Sequence, residues 1–266
     1  MWNWDYTNVN NDFFRVWTPE LAYIVGLFLA DGSISDYEKS GKKKVTFSNV
    51  TTDRDMLEKI AHICGYKNKV LDFKIGMSRV QFAGDFIWRF FTDLGFDNNK
   101  TYNAKIPAQL LDKPELYSHL IRGMLDGDGS ICVRNRRIHI YPDANIVGTQ
   151  TVVSFVSDIY PFFNTCGPHK AIYRVTYSGE NAVKFLNEIY NDSSIHMDRK
   201  YNEYLRIKDW KTTCKRWTKE EKDFLKKNYS TMYAKDIEKV LDRSFSGIVT
   251  RARKMGLKRQ HVNGKI

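Results

Sequence analysis

Two apolar segments of the chain each carry small residues four positions apart and end on an acidic residue. The segments read IVGLFLADG, starting at residue 24, and IRGMLDGDG, starting at residue 121. Gly26 and Ala30 are the small residues of the first segment, and Gly123 and Gly127 those of the second. A glycine inside a helix costs roughly 1 kcal/mol relative to alanine, so both segments give up helix stability for another purpose.

Small residues at this spacing form one stripe along a helix, on which a second helix can pack with its backbone close by. We therefore expect the two segments to form helices that lie against each other. Asp31 and Asp128 occupy matching positions at the helix ends, so this packing would place two carboxylates side by side. Such carboxylates repel one another and need a cation. Mg²⁺ prefers oxygen ligands of this kind, and a metal held by two carboxylates suits hydrolysis of a phosphodiester.

The two segments open two copies of an internal repeat. Three landmarks recur in the same order in both halves: the acid after the glycine-containing helix, a second helix, and a helix that begins with Gly and an acid. The matching pairs are Asp31 and Asp128 (97 residues apart), Ile60 and Ile159 (99 apart), and Asp85 and Glu180 (95 apart). A solenoid would need more and shorter repeats, so the pattern indicates a two-fold duplication.

Alternation of apolar and polar residues predicts strands between these helices. The predicted strands are KVTFSNV (44–50), VLDFKIG (70–76), SRVQFAG (78–84), RIHIYP (137–142) and AIYRVTYS (171–178). Each repeat is then a helix, a hairpin, a helix, further strands and a helix. The fold class is α+β.

The polar positions of these strands carry many hydrogen-bond donors and acceptors. One such strand would be an ordinary solvated sheet face, but all five share the pattern, and basic clusters lie at residues 42–44 and 134–137. The pattern favours a nucleic-acid-binding face. The candidate contact residues are Lys44, Thr46, Ser48, Lys74, Arg79, Gln81, Arg134, Arg136, Arg137, His139 and Arg174.

The positive charge of the chain is concentrated at its C-terminal end. The net charge is +11 over 266 residues; residues 211–266 hold 16 Lys and Arg against 6 Asp and Glu, whereas the first 210 residues hold 26 against 25. This asymmetry indicates an anionic partner, either nucleic acid or a membrane surface. The longest apolar run has ten residues, too few to span a bilayer.

Residues 216–260 are expected to form three short helices. Thr218 and Glu221 form a capping box for the first helix, Ser244 would cap the third, and Gly256 would end it. The expected core residues are Trp217, Phe224, Leu225, Tyr229, Ile237, Val240, Leu241, Ile248, Ala252 and Leu257.

The two glycine-containing segments resemble, position by position, the motif of the LAGLIDADG homing endonucleases in their single-chain, two-motif form. The resemblance covers about residues 18 to 208. It implies a pseudo-two-fold pair of αββαββα-like repeats, whose paired helices carry one essential acid each and whose two curved sheets form a saddle over DNA. The domains expected are an N-terminal extension (1–17), two repeats (18–114 and 115–208), a linker (209–215) and a helix-turn-helix domain (216–260).

The resemblance also implies roles for single residues. Asp31 and Asp128 would hold metal ions, with the carbonyls of Ala30 and Gly127 as further contacts, and Asp126 would be structural. The family places a lysine near each active site. Lys200 serves the second half; for the first half Lys105 is favoured by its position before Ile106-Pro107, although Lys100 fits the repeat better. Asn49 and Gln150, at strand ends, resemble the family's water-positioning residues.

The C-terminal segment resembles the Myb/SANT-like helix-turn-helix domains, in which the third helix enters the major groove. Here that helix carries Arg251, Arg253 and Lys254. A three-helix protein-binding module is the alternative, but the net charge of +10 from residue 211 onward favours DNA.

The expected function is that of a monomeric, Mg²⁺-dependent endonuclease cutting both strands of a long, nearly asymmetric DNA site. Mn²⁺ is expected to substitute, and Ca²⁺ to permit binding without cleavage. The alternatives are a non-cleaving transcription regulator, whose known examples lack the acids, and an intron RNA maturase. Four cysteines without paired spacing, and no recognisable signal peptide or membrane partner, favour an intracellular location: cytoplasm or nucleoid, an organelle matrix, or a phage host. The gene could be intron-encoded or free-standing.

Overall fold

Both glycine-containing segments are helices, and each opens a repeat of the same topology. The computed structural model describes residues 7–37, 42–98, 100–136, 139–170, 172–212 and 216–259. The chain divides into two compact units, residues 1–211 and residues 212–266. The first unit holds both repeats, and the second holds the basic C-terminal helices.

The first repeat runs α1 (Pro19–Asp31), β1 (Gly32–Tyr37), β2 (Lys42–Val50), α2 (Arg54–Ile63), β3 (Leu71–Lys74), β4 (Met77–Ala83) and α3 (Asp85–Asp93), followed by the short helix α4 (Lys100–Asn103). The second runs α5 (Tyr117–Gly127), β5 (Ser130–Arg136), β6 (His139–Gly148), α6 (Gln150–Ile159), β7 (Thr165–His169), β8 (Ile172–Ser178) and α7 (Glu180–Tyr190), followed by α8 (Asp198–Ile207). The order αββαββα is thus present twice, as predicted.

Each repeat forms an antiparallel four-stranded sheet, with strand orders β1-β2-β4-β3 and β5-β6-β8-β7. Apolar alternation did not predict β1, β5 and β7. All three are edge strands, and β1 and β7 are rich in Gly, Ser, Asp and Pro, which have low strand propensity. Pairing with a central strand, not local pattern, makes them strands.

Helix α6 contains Ile159, the landmark of the second helix in the second repeat. It begins at Gln150, because the side chain of Thr149 accepts a hydrogen bond from the backbone N–H of Val152 and caps the helix. It ends at Ile159, since the residue before Pro161 is disfavoured in helical conformation.

The helices cover one face of each sheet and leave the other open. In β4, Val80 and Phe82 are buried while Arg79 and Gln81 on the opposite face are half-buried. Strand β8 repeats the pattern with Val175 and Tyr177 buried. One continuous apolar core extends through both repeats, so the two halves fold as one body.

The C-terminal unit contains α9 (Lys219–Asn228), α10 (Ala234–Leu241) and α11 (Phe245–Lys254). The Thr218–Glu221 capping box and the Ser244 cap are both present, and Gly256 has φ +70°. Its core is Leu225, Tyr229, Ile237, Leu241, Ile248 and Ala252, with Trp217, Phe224 and Leu257 packed against it. Val240 was wrongly assigned to this core: it is 56% exposed.

In the part of the chain that the structure describes, no helix combines the length and apolar character needed to cross a bilayer.

Candidate functional site

Helices α1 and α5 cross with their backbones in direct contact. A Cβ atom added to Gly26 would lie 1.9 Å from the carbonyl oxygen of Leu120, and one added to Gly123 would lie 2.1 Å from the carbonyl oxygen of Tyr23. No side chain larger than hydrogen fits at either position. The glycines of both segments therefore exist to permit this crossing, as the small-residue stripe predicted.

The C-termini of the two helices meet beside the predicted acids. A Cβ atom on Gly127 would lie 2.3 Å from the Cβ of Ala30 and 3.3 Å from Oδ2 of Asp31. Asp31 is the last residue of α1, and Asp128 is the C-cap residue of α5. The structure thus brings the ends of both acid-bearing helices together.

The negative charge of Asp128 acts on Asp31 at the helix ends. Burial, and then the charge of Asp128, raise the pKa of Asp31 from 3.8 to about 6, against the lowering effect of Lys200 and Lys100. Asp31 is half-buried, whereas Asp128 is exposed. A cation between them would relieve the repulsion that raises the pKa of Asp31.

Lys200 is a buried ammonium group at the C-terminus of α5. It is 4% exposed, and its Nζ donates to the carbonyl oxygens of Leu125 (2.7 Å), Asp126 (2.6 Å), Gly127 (2.9 Å) and Gly129 (2.8 Å). Three ammonium protons serve four acceptors, so at least one hydrogen bond is shared. Burial lowers its pKa to about 8, which leaves it mostly charged at neutral pH, favourably placed at the negative end of the helix dipole.

Lys100 occupies the corresponding place at the end of α1. It is 7% exposed, and its Nζ donates to the carbonyl oxygens of Leu29 (3.0 Å) and Ala30 (2.8 Å). Burial lowers its pKa, and the charges of Asp128 and Asp31 oppose that shift. Lys105, the favoured candidate, is exposed. It was chosen from its position before Ile106-Pro107, but the short helix α4 directs Lys100 to the helix end instead.

Asp126 and Arg122 form a buried polar network beneath the site. Asp126 accepts hydrogen bonds from the hydroxyls of Tyr23 (2.8 Å) and Tyr190 (2.7 Å) and from the backbone N–H of Met197 (2.8 Å). Burial raises its pKa, and these hydrogen bonds lower it. Arg122, whose role was not predicted, donates to two backbone carbonyls of the second repeat. Asp126 joins α5 to α1 and does not face the exposed acid site, in agreement with the expected structural role.

The strand registers give Asn49 an unexpected counterpart. Ser33 and Ser130 each lie two residues after the acid of their repeat, and they pair with Thr46 and Asn145, which are therefore equivalent. Three positions further along the same strands lie Asn49 in β2 and Gly148 in β6. Asn49 Nδ2 lies 3.4 Å from Oδ2 of Asp31.

Gly148 has no side chain to offer, and it lines a cavity of about 90 Å³ together with Asp128 and Lys100. Gln150, the residue predicted to match Asn49, is exposed at the start of α6, and no contact of its side chain with Asp128 is among the hydrogen bonds of the described residues. The register thus makes Gly148 the equivalent of Asn49, and Gln150 is the first residue of α6, so its water-positioning role stays a prediction.

Most of the predicted sheet contacts lie on the open faces. Lys44, Thr46, Ser48, Arg79, Gln81 and Arg174 are half-buried there, and Lys74 is exposed. Gln81 Nε2 donates to Thr46 Oγ1 at 3.3 Å, across the central strand pair. Arg134, Arg136 and His139 lie on β5 and β6, but their side chains, like all of Arg137, lie outside what the structure describes.

The predicted contacts of the C-terminal unit all lie on α11. Arg253 and Lys254 are exposed, whereas Arg251 is half-buried with its guanidinium 5.7 Å from the ring centre of Trp217. Arg243 also lies over Trp217 and pairs with Glu221 at 2.8 Å. Two of the three basic side chains are thus free of the helical core.

The donor set at the helix ends fits a hard divalent cation. It comprises the carboxylates of Asp31 and Asp128 and the carbonyls of Ala30 and Gly127, each of which keeps a lone pair beside its lysine hydrogen bond. Over the described ranges, no three His, Cys, Asp or Glu side chains form a preassembled metal cage. A cation held here would therefore take its remaining ligands from water or from a bound phosphate.

Comparison with known proteins agrees with this geometry. A family model described as a LAGLIDADG-like domain matches residues 18–65, the part containing α1, β1, β2 and α2. No protein of curated function matches the sequence significantly.

Solved structures resemble the chain over most of its length. They include the LAGLIDADG meganuclease I-AabMI bound to uncleaved DNA (TM-score 0.52, 11% identity, covering 92% of this chain and 100% of that one). The LAGLIDADG homing endonuclease I-LtrWI bound to target DNA has a TM-score of 0.50 at 11% identity, covering 75% of this chain and 91% of its own. I-SmaMI bound to cleaved DNA has a TM-score of 0.50 at 10% identity, covering 73% and 89%.

The fold is therefore the pseudo-dimeric LAGLIDADG fold: two repeats joined by crossed glycine-containing helices, each with a four-stranded antiparallel sheet. The solved structures that share it include those of I-AabMI and I-LtrWI bound to DNA.

Proposed function

We propose that the chain is a site-specific endonuclease that hydrolyses both strands of a DNA duplex with the help of a divalent cation, Mg²⁺ in the first instance. The observation that carries the proposal is the meeting of Asp31 and Asp128 at the crossed ends of α1 and α5. The fold alone does not require both acids to be present. Their retention, with a buried lysine beside each helix end, favours catalysis over DNA binding alone.

The open sheet faces would bind the duplex. The two sheets are related by the repeat, so each would read one half of a long target through side-chain contacts in the major groove. The halves differ in their polar residues, as in the Asn49 and Gly148 positions, and this supports a nearly asymmetric target. Because one chain supplies both halves, the proposed enzyme acts as a monomer. The structures of I-AabMI and I-LtrWI bound to DNA support this mode of binding.

The roles of the site residues follow from their positions. Asp31 and Asp128 would hold the cation, with the carbonyls of Ala30 and Gly127 nearby. A bound divalent cation supplies an activated water and stabilises charge on the phosphate and the leaving oxygen. Lys100 and Lys200 keep the helix ends in place and add positive charge next to the scissile phosphates.

Asn49 is proposed to orient Asp31 and a nearby water in the first half, since its amide already lies within 3.4 Å of the carboxylate. In the second half the cavity beside Gly148 and Asp128 has room for several water molecules. The acids must be ionised to hold the cation, so a bound cation would oppose the raised pKa that Asp31 has without it.

The C-terminal unit is proposed to be a second DNA-binding element of helix-turn-helix type. It contains three short helices around its own core, and its exposed basic residues Arg253 and Lys254 lie on the third helix. It would lengthen the contact with DNA and raise its dependence on salt.

The test is incubation of the purified chain with DNA containing its own uninterrupted host locus, in Mg²⁺ and in EDTA. Linear products that appear only with Mg²⁺ support the proposal, and Mn²⁺ should replace Mg²⁺ while Ca²⁺ gives a shifted but intact duplex. Binding without cleavage under all metal conditions would support a transcription regulator instead. Cleavage that persists in EDTA would refute the role of the cation.

A further inference from the structure

Arg79 and Arg174 occupy equivalent positions in the two sheets. Arg79 lies on β4 and pairs with Ser48 of β2; Arg174 lies on β8 and pairs with Val147 of β6. Ser48 and Val147 are themselves equivalent, because each lies one residue before the Asn49 or Gly148 position. The repeat therefore places one arginine at the same point of each open sheet face.

Both guanidinium groups are steadied by an edge strand. The guanidinium of Arg79 lies 4.6 Å from the ring centre of Phe73 on β3. In the second sheet the guanidinium of Arg174 lies 2.8 Å from Nε2 of His169 on β7. A planar side chain held in this way loses little freedom when it binds a planar partner.

The same two side chains are incompletely satisfied. Within the described part of the chain, four buried side-chain polar atoms lack a hydrogen-bond partner: Asp55 Oδ2, Arg79 Nε, Trp88 Nε1 and Arg174 Nε. Two of the four belong to this arginine pair. Buried donors are almost always paired in folded proteins, and here the same donor is unpaired at equivalent positions of both repeats.

Neither arginine is neutralised by a neighbouring acid among the residues that the structure covers. Two other basic side chains of the first repeat are neutralised in this way: Lys43 pairs with Asp85 at 3.4 Å, and Arg54 with Glu58 at 2.9 Å. The positive charge of the pair is therefore directed to the open face alone.

The position of the pair relative to the acids defines which part of a duplex it would meet. Arg79 sits across from the residue before Asn49, whose amide contacts Asp31. Arg174 sits across from the residue before Gly148, which lines the cavity beside Asp128. Each arginine is thus close to the acid end of its sheet, where it would meet the base pairs that flank the cut in the proposed function.

We infer that Arg79 and Arg174 are a matched pair of base-reading residues, each specific for a guanine; the inference rests on the proposed function. In the major groove a guanine presents O6 and N7 to the fork of an arginine, which is the commonest specific contact of this kind. Because the repeat relates the two arginines by a pseudo-two-fold axis, the two guanines lie at mirror-related positions on opposite strands. An otherwise asymmetric target then carries one symmetric feature around its centre.

The experiment selects DNA from a randomised double-stranded library with the full-length chain in EDTA, so that binding is read without cleavage. The enriched sequences should contain two guanines at mirror-related positions. The Arg79→Ala variant should lose the preference at one of these positions and Arg174→Ala at the other, each by roughly 10- to 100-fold against the other bases. All other positions should keep their preferences.

Two variants serve as controls. Arg79→Lys keeps a donor and should retain part of the guanine preference, which shows that loss in Arg79→Ala is not a folding defect. Lys74→Ala, an exposed position beside the same Phe73 ring, should weaken all sequences equally, as a phosphate contact does.

The outcomes separate the two proposals. A target that is enriched normally but whose guanine preferences survive in Arg79→Ala and Arg174→Ala overturns this inference and leaves the proposed DNA-binding function standing. Uniform weakening by both variants assigns them to phosphates and also overturns it. A chain that enriches no sequence refutes the site-specific function itself, and the inference with it.

Discussion

Asp126 and Asp128 are two residues apart on the same helix end, yet Asp126 is fully buried and Asp128 is exposed. The first accepts three hydrogen bonds, from Tyr23, Tyr190 and Met197. The second caps α5 and borders the cavity shared with Lys100. One glycine between them, where the helix ends, separates an acid that holds the two repeats together from one that lies exposed beside the cavity.

Replacing each of these acids by its amide should therefore affect a different property, the stability of the fold for Asp126 and the cleavage of DNA for Asp128. Asp126→Asn places an NH₂ group, which is itself a donor, opposite groups that donate to the native carboxylate. It should lower the free energy of unfolding by about 3 kcal/mol. Asp128→Asn should change stability by less than about 0.5 kcal/mol but reduce double-strand cleavage by on the order of 10³-fold or more, while DNA binding persists. Chemical denaturation, gel shift and cleavage assays on both variants measure this. Full cutting by Asp128→Asn would remove the carboxylate from the mechanism.

The lysines near the first helix end can be distinguished by substitution. Lys100→Met removes the donor to the carbonyls of Leu29 and Ala30, and we expect cleavage to fall at least about 10²-fold, the scale of losing one group that stabilises developing charge. Lys105→Met, at an exposed position, is the matched control and should cut at nearly the normal rate. The reverse order of effects would restore Lys105 to the site. Thermal melts confirm that both variants are folded.

Stability should depend on pH through Asp31. Its folded-state pKa is raised to about 6 from 3.8, so the folded chain binds this proton more tightly than the unfolded chain. Stability is then lost as pH rises from about 4 through 6, and the loss is complete above that range. In EDTA, Asp31→Asn should be more stable than the parent by on the order of 2 kcal/mol at pH 7, with no difference near pH 3.5. Melting curves across this range test it; equal stabilities at pH 7 would contradict the shift.

The helix crossing tolerates no added methyl group. In Gly26→Ala the new Cβ would overlap the carbonyl oxygen of Leu120 at 1.9 Å, so the helices must separate, at a cost of more than about 4 kcal/mol. Gly76→Ala is the comparison: its Cβ meets nothing within 4 Å, and only its φ of +75° opposes the change, for about 1 kcal/mol. Urea denaturation of both variants distinguishes packing from backbone strain. A small effect at Gly26 would mean that the helices are further apart.

Removal of the C-terminal unit should change the salt dependence of DNA binding. Residues 212–266 form a separate unit with its own core, so a chain ending at residue 211 is expected to fold, which circular dichroism can check. The slope of log affinity against log salt concentration should become less steep by about 2 to 5, because fewer phosphates are neutralised. An unchanged slope would remove this unit from the DNA contact.

Much of this architecture follows from local sequence patterns. The stripes of Gly26 and Gly123 predicted the crossing, and the repeat predicted two αββαββα units, because period and residue size act through neighbouring positions on one element. The capping box at Thr218 is local in the same sense. Edge strands such as β7 were missed, since their only support is a partner strand far away in the chain.

The sequence by itself determined the two acid-bearing helices, their close approach and the division into a neutral body and a basic C-terminal unit. Only the tertiary structure decided which lysine reaches the first helix end and that Gly148, not Gln150, is equivalent to Asn49 in the repeat. It also decided that Asp126 is buried while Asp128 is exposed. The physical reason is that these choices depend on strand register and on burial. Both are fixed by contacts between residues distant in sequence, which no local pattern records.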